Sequence, residues 1–206
     1  VVGAGGAGLM AGLICARAGA RVVLVDDRPE AGGASPWAPW VADAVREFDG
    51  LPTTLRLQRT TAFGAYDDGF VLAVERRTDH LGVAPAHLSR QRVHRIRARR
   101  IIIAAGAHER PIVFADNDLP GVMLAGSAAD LLRRHAVRVA DTAVVFTSGD
   151  AAYDAAFATA DAGTTVAAIV DVRPVVAADL LDQARRRGIR VVTDAAVIRA
   201  EGGETV

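Results

Sequence analysis

The run Gly3-Ala4-Gly5-Gly6-Ala7-Gly8 fits the pattern G-x-G-x-x-G. Its glycines permit a tight turn, close approach of backbone to a pyrophosphate, and close packing of a helix on a strand. A helix beginning here would present free N–H groups and a partial positive charge to that anion, so no basic side chain is required. Asp26, eighteen residues beyond Gly8, follows a short apolar run. A carboxylate there can accept hydrogen bonds from both hydroxyls of an adenosine ribose and would repel a 2′-phosphate. The chemistry expected is binding of NAD or FAD in preference to NADP.

The segment Asp27-Arg28-Pro29-Glu30-Ala31-Gly32-Gly33 extends this candidate site. Two consecutive glycines let the chain run close to a cofactor, and Arg28 either lies over the adenine or is solvated. Ala105 and Gly106 end a run of small and apolar residues where doubly wound folds place their ligands. His108-Glu109-Arg110 follows directly, either as a catalytic pair or as an anchor between domains. Catalytic residues are left unassigned.

Around these residues the pattern is α/β. Val1-Val2 is a strand stub, Ala7–Ala18 a helix stopped by Gly19, and Arg21–Val25 a buried parallel strand, which completes a βαβ unit. Residues 29–52, with four of the eight prolines, read as a loop followed by a helix over Val41–Phe48. Alternation at Leu55, Leu57, Arg59 and Thr61, then Phe70–Glu75 and Arg92–Ala98, predicts an antiparallel meander. Ile101–Gly106 predicts a fully buried strand, and Asn117–Gly121 a turn. A second βαβαβ series runs from 139, with strands at Ala143–Phe146, Val166–Val170 and Ile189–Thr193 and helices at Ala151–Ala162 and Asp179–Arg187. The expected organisation is a dinucleotide-binding domain over 1–115, a connector over 116–138, and a second, truncated Rossmann-like domain over 139–206. Both ends read as cut: two residues precede Gly3, and the closing residues 201–206 look like a turn entering a strand.

Composition excludes several functions. Net charge is zero, so no global field favours nucleic acid or an anionic membrane. All 24 basic residues are Arg, which leaves no lysine for a Schiff base. Cys15 is the single cysteine and reads as a small buried apolar residue, no apolar run is long enough to span a bilayer, and a cytoplasmic location is expected. The five histidines show no ligand spacing, so no metal is expected. Arg90, Arg92, Arg95, Arg97, Arg99 and Arg100 form a basic run without interleaved aromatics, which reads as the wet face of a strand and not as a nucleic-acid site.

Longer strings carry a resemblance. Arg59-Thr60-Thr61-Ala62-Phe63-Gly64-Ala65-Tyr66-Asp67-Asp68, Glu75–Leu81, Ala105–Pro111 and Asn117–Ala125 closely resemble the α subunit of heterotetrameric sarcosine oxidases, across essentially the whole chain. The resemblance implies the fold of flavoprotein reductases with two dinucleotide domains, in a hetero-oligomer that oxidises a small secondary amine. It implies NAD on this subunit and FAD and FMN in the assembled complex. By motif the NAD contacts fall on Ala7, Asp26, Asp27, Arg28 and Ala62. The family usually has Glu where Asp27 stands and Pro where Gly6 stands, and a longer loop between Gly33 and Trp40.

The second domain has Thr147-Ser148-Gly149-Asp150-Ala151, with one glycine, where a reductase would carry another glycine-rich loop. It is expected to bind no nucleotide. Absence of a C-x-x-C pair excludes dithiol chemistry of the thioredoxin-reductase kind. Three readings stay open: the dinucleotide-binding part of a sarcosine-oxidase-like subunit, an FAD-binding subunit of a related amine or opine dehydrogenase, and a non-catalytic NAD-binding assembly module.

Overall fold

A computed structural model describes residues 1–34 and 38–203. The chain divides into two compact units, Val1–Ala107 and His108–Val206.

The first unit is a parallel sheet with helices, followed by an antiparallel meander. Helix α1 (Gly6–Arg17) leads to strand β1 (Val22–Val25), and helix α2 (Pro39–Gly50) leads to strand β2 (Thr54–Leu57). Val2 bridges in parallel to Val25 on one side and to Ile103 on the other, so the stub is the middle of the sheet. Proline at the start of α2 fits its preset φ, and Val41, Ala44 and Phe48 recur at helical spacing to bury one face. Phe48 is fully buried with Leu9, Leu13, Val22 and Leu24. Gly12 admits it, because a Cβ at Gly12 would stand 3.1 Å from the Phe48 ring. Removing a ring so enclosed costs about 3–5 kcal/mol. Cys15 is half-buried and packs on this same core, in keeping with its apolar reading.

Strands β3 (Thr60–Tyr66), β4 (Phe70–Arg76) and β5 (Gln91–Arg97) form the meander, in that order and antiparallel. Thr54–Leu57, expected in this meander, instead pairs in parallel with β1, Val22 opposite Thr54. The break between the two sheets is Arg59, whose φ of 53° lies in the left-handed region and ends the extended run. The strand expected over Ile101–Gly106 is also different. It is reduced to a bridge at Ile103, which is 76% exposed and far from fully buried. Its one described hydrogen-bonding neighbour is the three-residue stretch at Val1–Gly3, too short to support a ladder.

The second unit repeats the parallel scheme. Strands β6 (Thr142–Thr147), β7 (Thr165–Asp171) and β8 (Arg190–Val192) are ordered 6-7-8 and all parallel, linked by helices α4 (Ala151–Asp161) and α5 (Ala178–Arg186). Tyr153, Ala156 and Phe157 of α4 meet Ile169 of β7 and Leu180 and Ala184 of α5 in one core. Helix α3 (Ala125–His135) occupies much of the stretch expected as a connector. Its N-cap is Leu124, which offers no side-chain acceptor, and the missing acceptor is the Glu109 carboxylate, which takes the Gly126 N–H at 2.7 Å. Glu109 thus caps α3, a contact inside the second unit and not an anchor between domains. Among the described residues no helix is long and apolar enough to cross a membrane, and no group of His, Cys, Asp and Glu is placed to hold a metal ion.

Candidate functional site

Two positions of the glycine loop admit no side chain. Gly3 has φ of +99°, and a Cβ there would collide with the Ala104 carbonyl; a Cβ at Gly8 would collide with the carbonyl of Gly3. Gly3 therefore makes the turn and Gly8 brings α1 onto the strand. Gly5 caps α1 with its carbonyl accepting the Leu9 N–H at 2.9 Å, and the first turn holds no acidic residue and no side-chain cap. The N–H groups of Gly6, Ala7 and Gly8 lie in that first turn, before intrahelical bonding begins, and Ala7 is exposed. This is an electropositive end left open for an anion.

The glycine pair after β1 closes over the loop. Gly32 donates its N–H to the Ala4 carbonyl at 2.7 Å, and Gly33, with φ of +62°, sits so near that its Cβ would be 3.0 Å from the Cα of Gly5. Two stretches of bare backbone thus lie against each other. Trp40 completes this side, its ring 3.5 Å from where a Cβ of Gly6 would be. The loop between Gly33 and Trp40, expected to be shorter than in the family, falls partly on residues 35–37, outside the described residues.

Asp26 and Asp27 have different surroundings. The Asp26 carboxylate accepts the N–H of Ala4 at 2.5 Å and the N–H of Arg28 at 2.9 Å, tying the glycine loop to the turn after β1. One oxygen goes to each. Asp27 is exposed, its carbonyl accepts the Arg76 guanidinium at 2.6 Å, and its carboxylate has no partner among the described residues. Arg28 is half-buried, with its carbonyl accepting the N–H of Arg59 at 2.9 Å and the Gln58 amide at 3.1 Å. Ala62, on β3, is half-buried beside a register shift, and Ala105 and Gly106 are exposed past the Ala104 contact to the loop.

The structure therefore brings Gly3, Gly5, Gly6, Ala7, Gly8, Asp26, Gly32, Gly33 and the Ala104-Ala105 backbone to one end of the parallel strands. Sequence reasoning did not single out Trp40, Gln58 or Arg76. For Trp40 a signal existed, a large aromatic one residue after the proline that starts a helix. For Gln58 and Arg76 none did, since both act through main-chain carbonyls that any residue carries.

In the second unit the equivalent place is filled. Asp171, at the end of β7, is fully buried and accepts the Arg173 N–H at 2.9 Å, the Tyr153 hydroxyl at 3.0 Å and the Arg173 guanidinium at 2.7 Å. Arg173 also reaches Asp150 at 2.7 Å, directly ahead of α4. Burial alone would raise the Asp171 carboxyl, but the hydrogen bonds from Arg173 and Tyr153 outweigh it and hold it below the usual range. Burial, with Asp171 beside it, pushes the Tyr153 phenol up to about 12. The Gly149 N–H is taken by the Thr147 hydroxyl at 3.0 Å, and a Cβ on Gly149 would meet nothing.

Comparison with known proteins agrees with this architecture. The chain is 43% identical over 217 residues to the sarcosine oxidase subunit alpha of Corynebacterium sp. (strain P-1), an alignment that takes in 100% of this chain and 22% of that protein. It is 39% identical over 216 residues to the subunit of the same name from Rhizobium meliloti (strain 1021), covering 100% of this chain and 21% of that one. The chain thus spans about a fifth of the length of these relatives. Among solved structures, T. acidophilum thioredoxin reductase superposes with a TM-score of 0.66 over 98% of this chain and 66% of that chain, at 16% identity, a likeness of fold. The family profile of the pyridine nucleotide-disulphide oxidoreductases matches residues 1–206, the full extent over which the glycine loop, both parallel sheets and the meander are laid out. This chain belongs to the pyridine nucleotide-disulphide oxidoreductase family.

Proposed function

We propose that this chain is the dinucleotide-binding part of the α subunit of a sarcosine-oxidase-like amine oxidoreductase, and that the dinucleotide on it is NAD. The observation that carries this reading is the uncapped first turn of α1 behind a loop that excludes a side chain at Gly3 and Gly8, together with an exposed carboxylate at Asp27, unpartnered among the described residues, directly after the Asp26 that holds the Ala4 N–H. Gly3, Gly5, Gly6, Ala7 and Gly8 would hold the pyrophosphate through backbone N–H groups. Asp27 would accept the ribose hydroxyls, with Asp26 holding the turn that presents it. Arg28, Gly32, Gly33, Ala62, Ala105 and Gly106 would line the rest. When bound, NAD supplies a nicotinamide able to accept or donate hydride.

In the assembled enzyme a partner flavin, FAD or FMN, would take a hydride equivalent from a small secondary amine and leave an imine. The nucleotide domain extends over 1–115, the stretch 116–138 connects, and 139–206 serves architecture without a nucleotide. The pairing of Arg173 with both the buried Asp171 and Asp150, directly ahead of α4, supports that last assignment.

The test is to purify the full-length protein with its partner subunits, separate this subunit, and identify the released nucleotide by mass spectrometry. NAD with no flavin spectrum is expected from the isolated subunit; a flavin released from it overturns the assignment. Asp27→Asn should weaken NAD by about tenfold, the size of one charge-assisted hydrogen bond, with the melting temperature unchanged. Failure of sarcosine to reduce the flavins of the complex would remove the substrate assignment and leave another amine or an opine.

A further inference from the structure

The basic run of the sequence separates into two groups in the fold. Arg90 pairs with Asp79 at 2.5 Å and Arg92 faces Glu75 at 3.9 Å, so these are neutralised locally. Arg97, Arg99 and Arg100 have no carboxylate partner among the described residues, and Arg21 joins them from the start of β1. Together with Asp68, Gly69 and Ala98 these four arginines line an open groove of about 640 Å³. Arg17, Arg56, Arg138 and Arg187, by contrast, each hold a carboxylate within 2.9 Å.

Topology fixes the position of the groove. Arg21 precedes β1, and Ala98–Arg100 precede the stretch that carries the Ile103 bridge, parallel to the stub that also pairs with β1. The groove therefore lies at the N-terminal ends of the parallel strands, while the glycine loop lies at their C-terminal ends. It is no part of the dinucleotide site. Its floor is rigid: Gly69 has φ of +66°, its carbonyl accepts the Ala98 N–H at 2.9 Å, and a Cβ on Gly69 would collide with the Ala98 carbonyl.

We propose that this groove is a docking site for an extended, Asp/Glu-rich segment of a protein partner. Four guanidiniums face one carboxylate, that of Asp68, and all four arginines are exposed along an open trough. A single phosphate would call for converging, partly buried donors, whereas these four are exposed, and several guanidiniums along one open groove match several carboxylates. No aromatic residue is among the described residues that line the trough, and Phe70, next to Gly69 in sequence, carries the Arg97 guanidinium 4.9 Å above its ring, which disfavours stacking of bases.

The test uses the full-length protein and a fluorescein-labelled peptide of eight alternating Asp and Glu residues, followed by fluorescence anisotropy. Binding is expected at low salt and should weaken steeply as salt rises. The R99E/R100E variant should lose about tenfold or more in affinity, equivalent to about 1.4 kcal/mol, and R21E, altered on a separate segment ahead of β1, should lose affinity in the same direction. A charge-matched R185E/R186E control on α5 should bind as the parent does. Equal loss in that control, or no peptide binding by the parent protein, overturns the proposal. Tighter binding of a twelve-residue oligothymidylate, or displacement of the peptide by millimolar inorganic phosphate, overturns it in favour of those ligands. The nucleotide content of each variant should be that of the parent, so the outcome does not depend on which dinucleotide occupies the glycine loop.

Discussion

The two units place an aspartate at the same point, the end of the second strand of a βαβ, and use it in opposite ways. Asp26 and Asp171 each accept the N–H of an arginine two residues on, at 2.9 Å in both. In the first unit the other oxygen holds a backbone N–H of the glycine loop, which leaves the helix end open. In the second, a tyrosine hydroxyl and a guanidinium take the remaining capacity, and Asp150 at the start of α4 binds the same guanidinium. One scaffold position thus gives an open anion site or a sealed polar core. The residue that decides it is the partner, backbone in one unit and side chains in the other.

The widest separation should come from alanine at the glycines. Gly8→Ala forces a Cβ onto the Gly3 carbonyl, and neither backbone can yield without unpacking α1. A loss of about 3 kcal/mol is expected, with loss of bound nucleotide. Gly149→Ala, at the corresponding loop of the second unit, meets open space and should stay within about 0.5 kcal/mol of the parent. Urea unfolding followed by far-ultraviolet circular dichroism reports both units, since each carries helices and strands. Equal tolerance at the two glycines would erase the contrast.

Next in size is Arg173→Met. It leaves the buried Asp171 with the Tyr153 hydroxyl and one N–H, and removes the cation paired with it, so about 3 kcal/mol of stability should go. Asp26→Asn comes after it. An amide cannot accept two N–H groups on opposite sides without pointing its own NH₂ at one of them, which costs about 1–3 kcal/mol. Circular dichroism melts of the two variants rank them. If Asp26→Asn lowers nucleotide retention without lowering stability, Asp26 is itself a ribose ligand and the division of labour with Asp27 is wrong.

Much of this was legible in the sequence, for a physical reason in each case. The glycine spacing encodes a steric demand that no other residue meets, so Gly3 and Gly8 stand where the pattern put them. The parallel strands of the second unit are continuous apolar runs with helices between, and the order 6-7-8 follows. What escaped depends on contacts distant in the chain. Thr54–Leu57 alternates as an edge of a meander would, and only its neighbour β1 makes it parallel. Helix α3 lacks a local cap, and its acceptor, Glu109, lies seventeen residues earlier. The Asp26-Asp27 doublet was visible, but which of the two faces solvent is set by the Ala4 N–H across the turn.

The smallest effect expected is the most specific to the sealed site. Tyr153 ionises near 12 in the fold against about 10 in an unfolded chain, because burial and the Asp171 carboxylate both oppose a phenolate. A raised folded value means that the neutral phenol is the form the fold prefers. Its contribution is complete below about pH 10 and is lost as pH rises from there toward 12, where the unfolded chain ionises first. Stability of the second unit should therefore decline across that window. Tyr153→Phe should flatten the decline while lowering stability at neutral pH by about 1 kcal/mol, the worth of one hydrogen bond to the hydroxyl. The chain has two tyrosines, so absorbance at the phenolate band can follow Tyr153 directly: the late-titrating phenol should vanish in Tyr153→Phe and persist in Tyr66→Phe. If Tyr66→Phe removes it instead, Tyr153 is open to water, Asp171 is not sealed, and the two aspartates are alike after all.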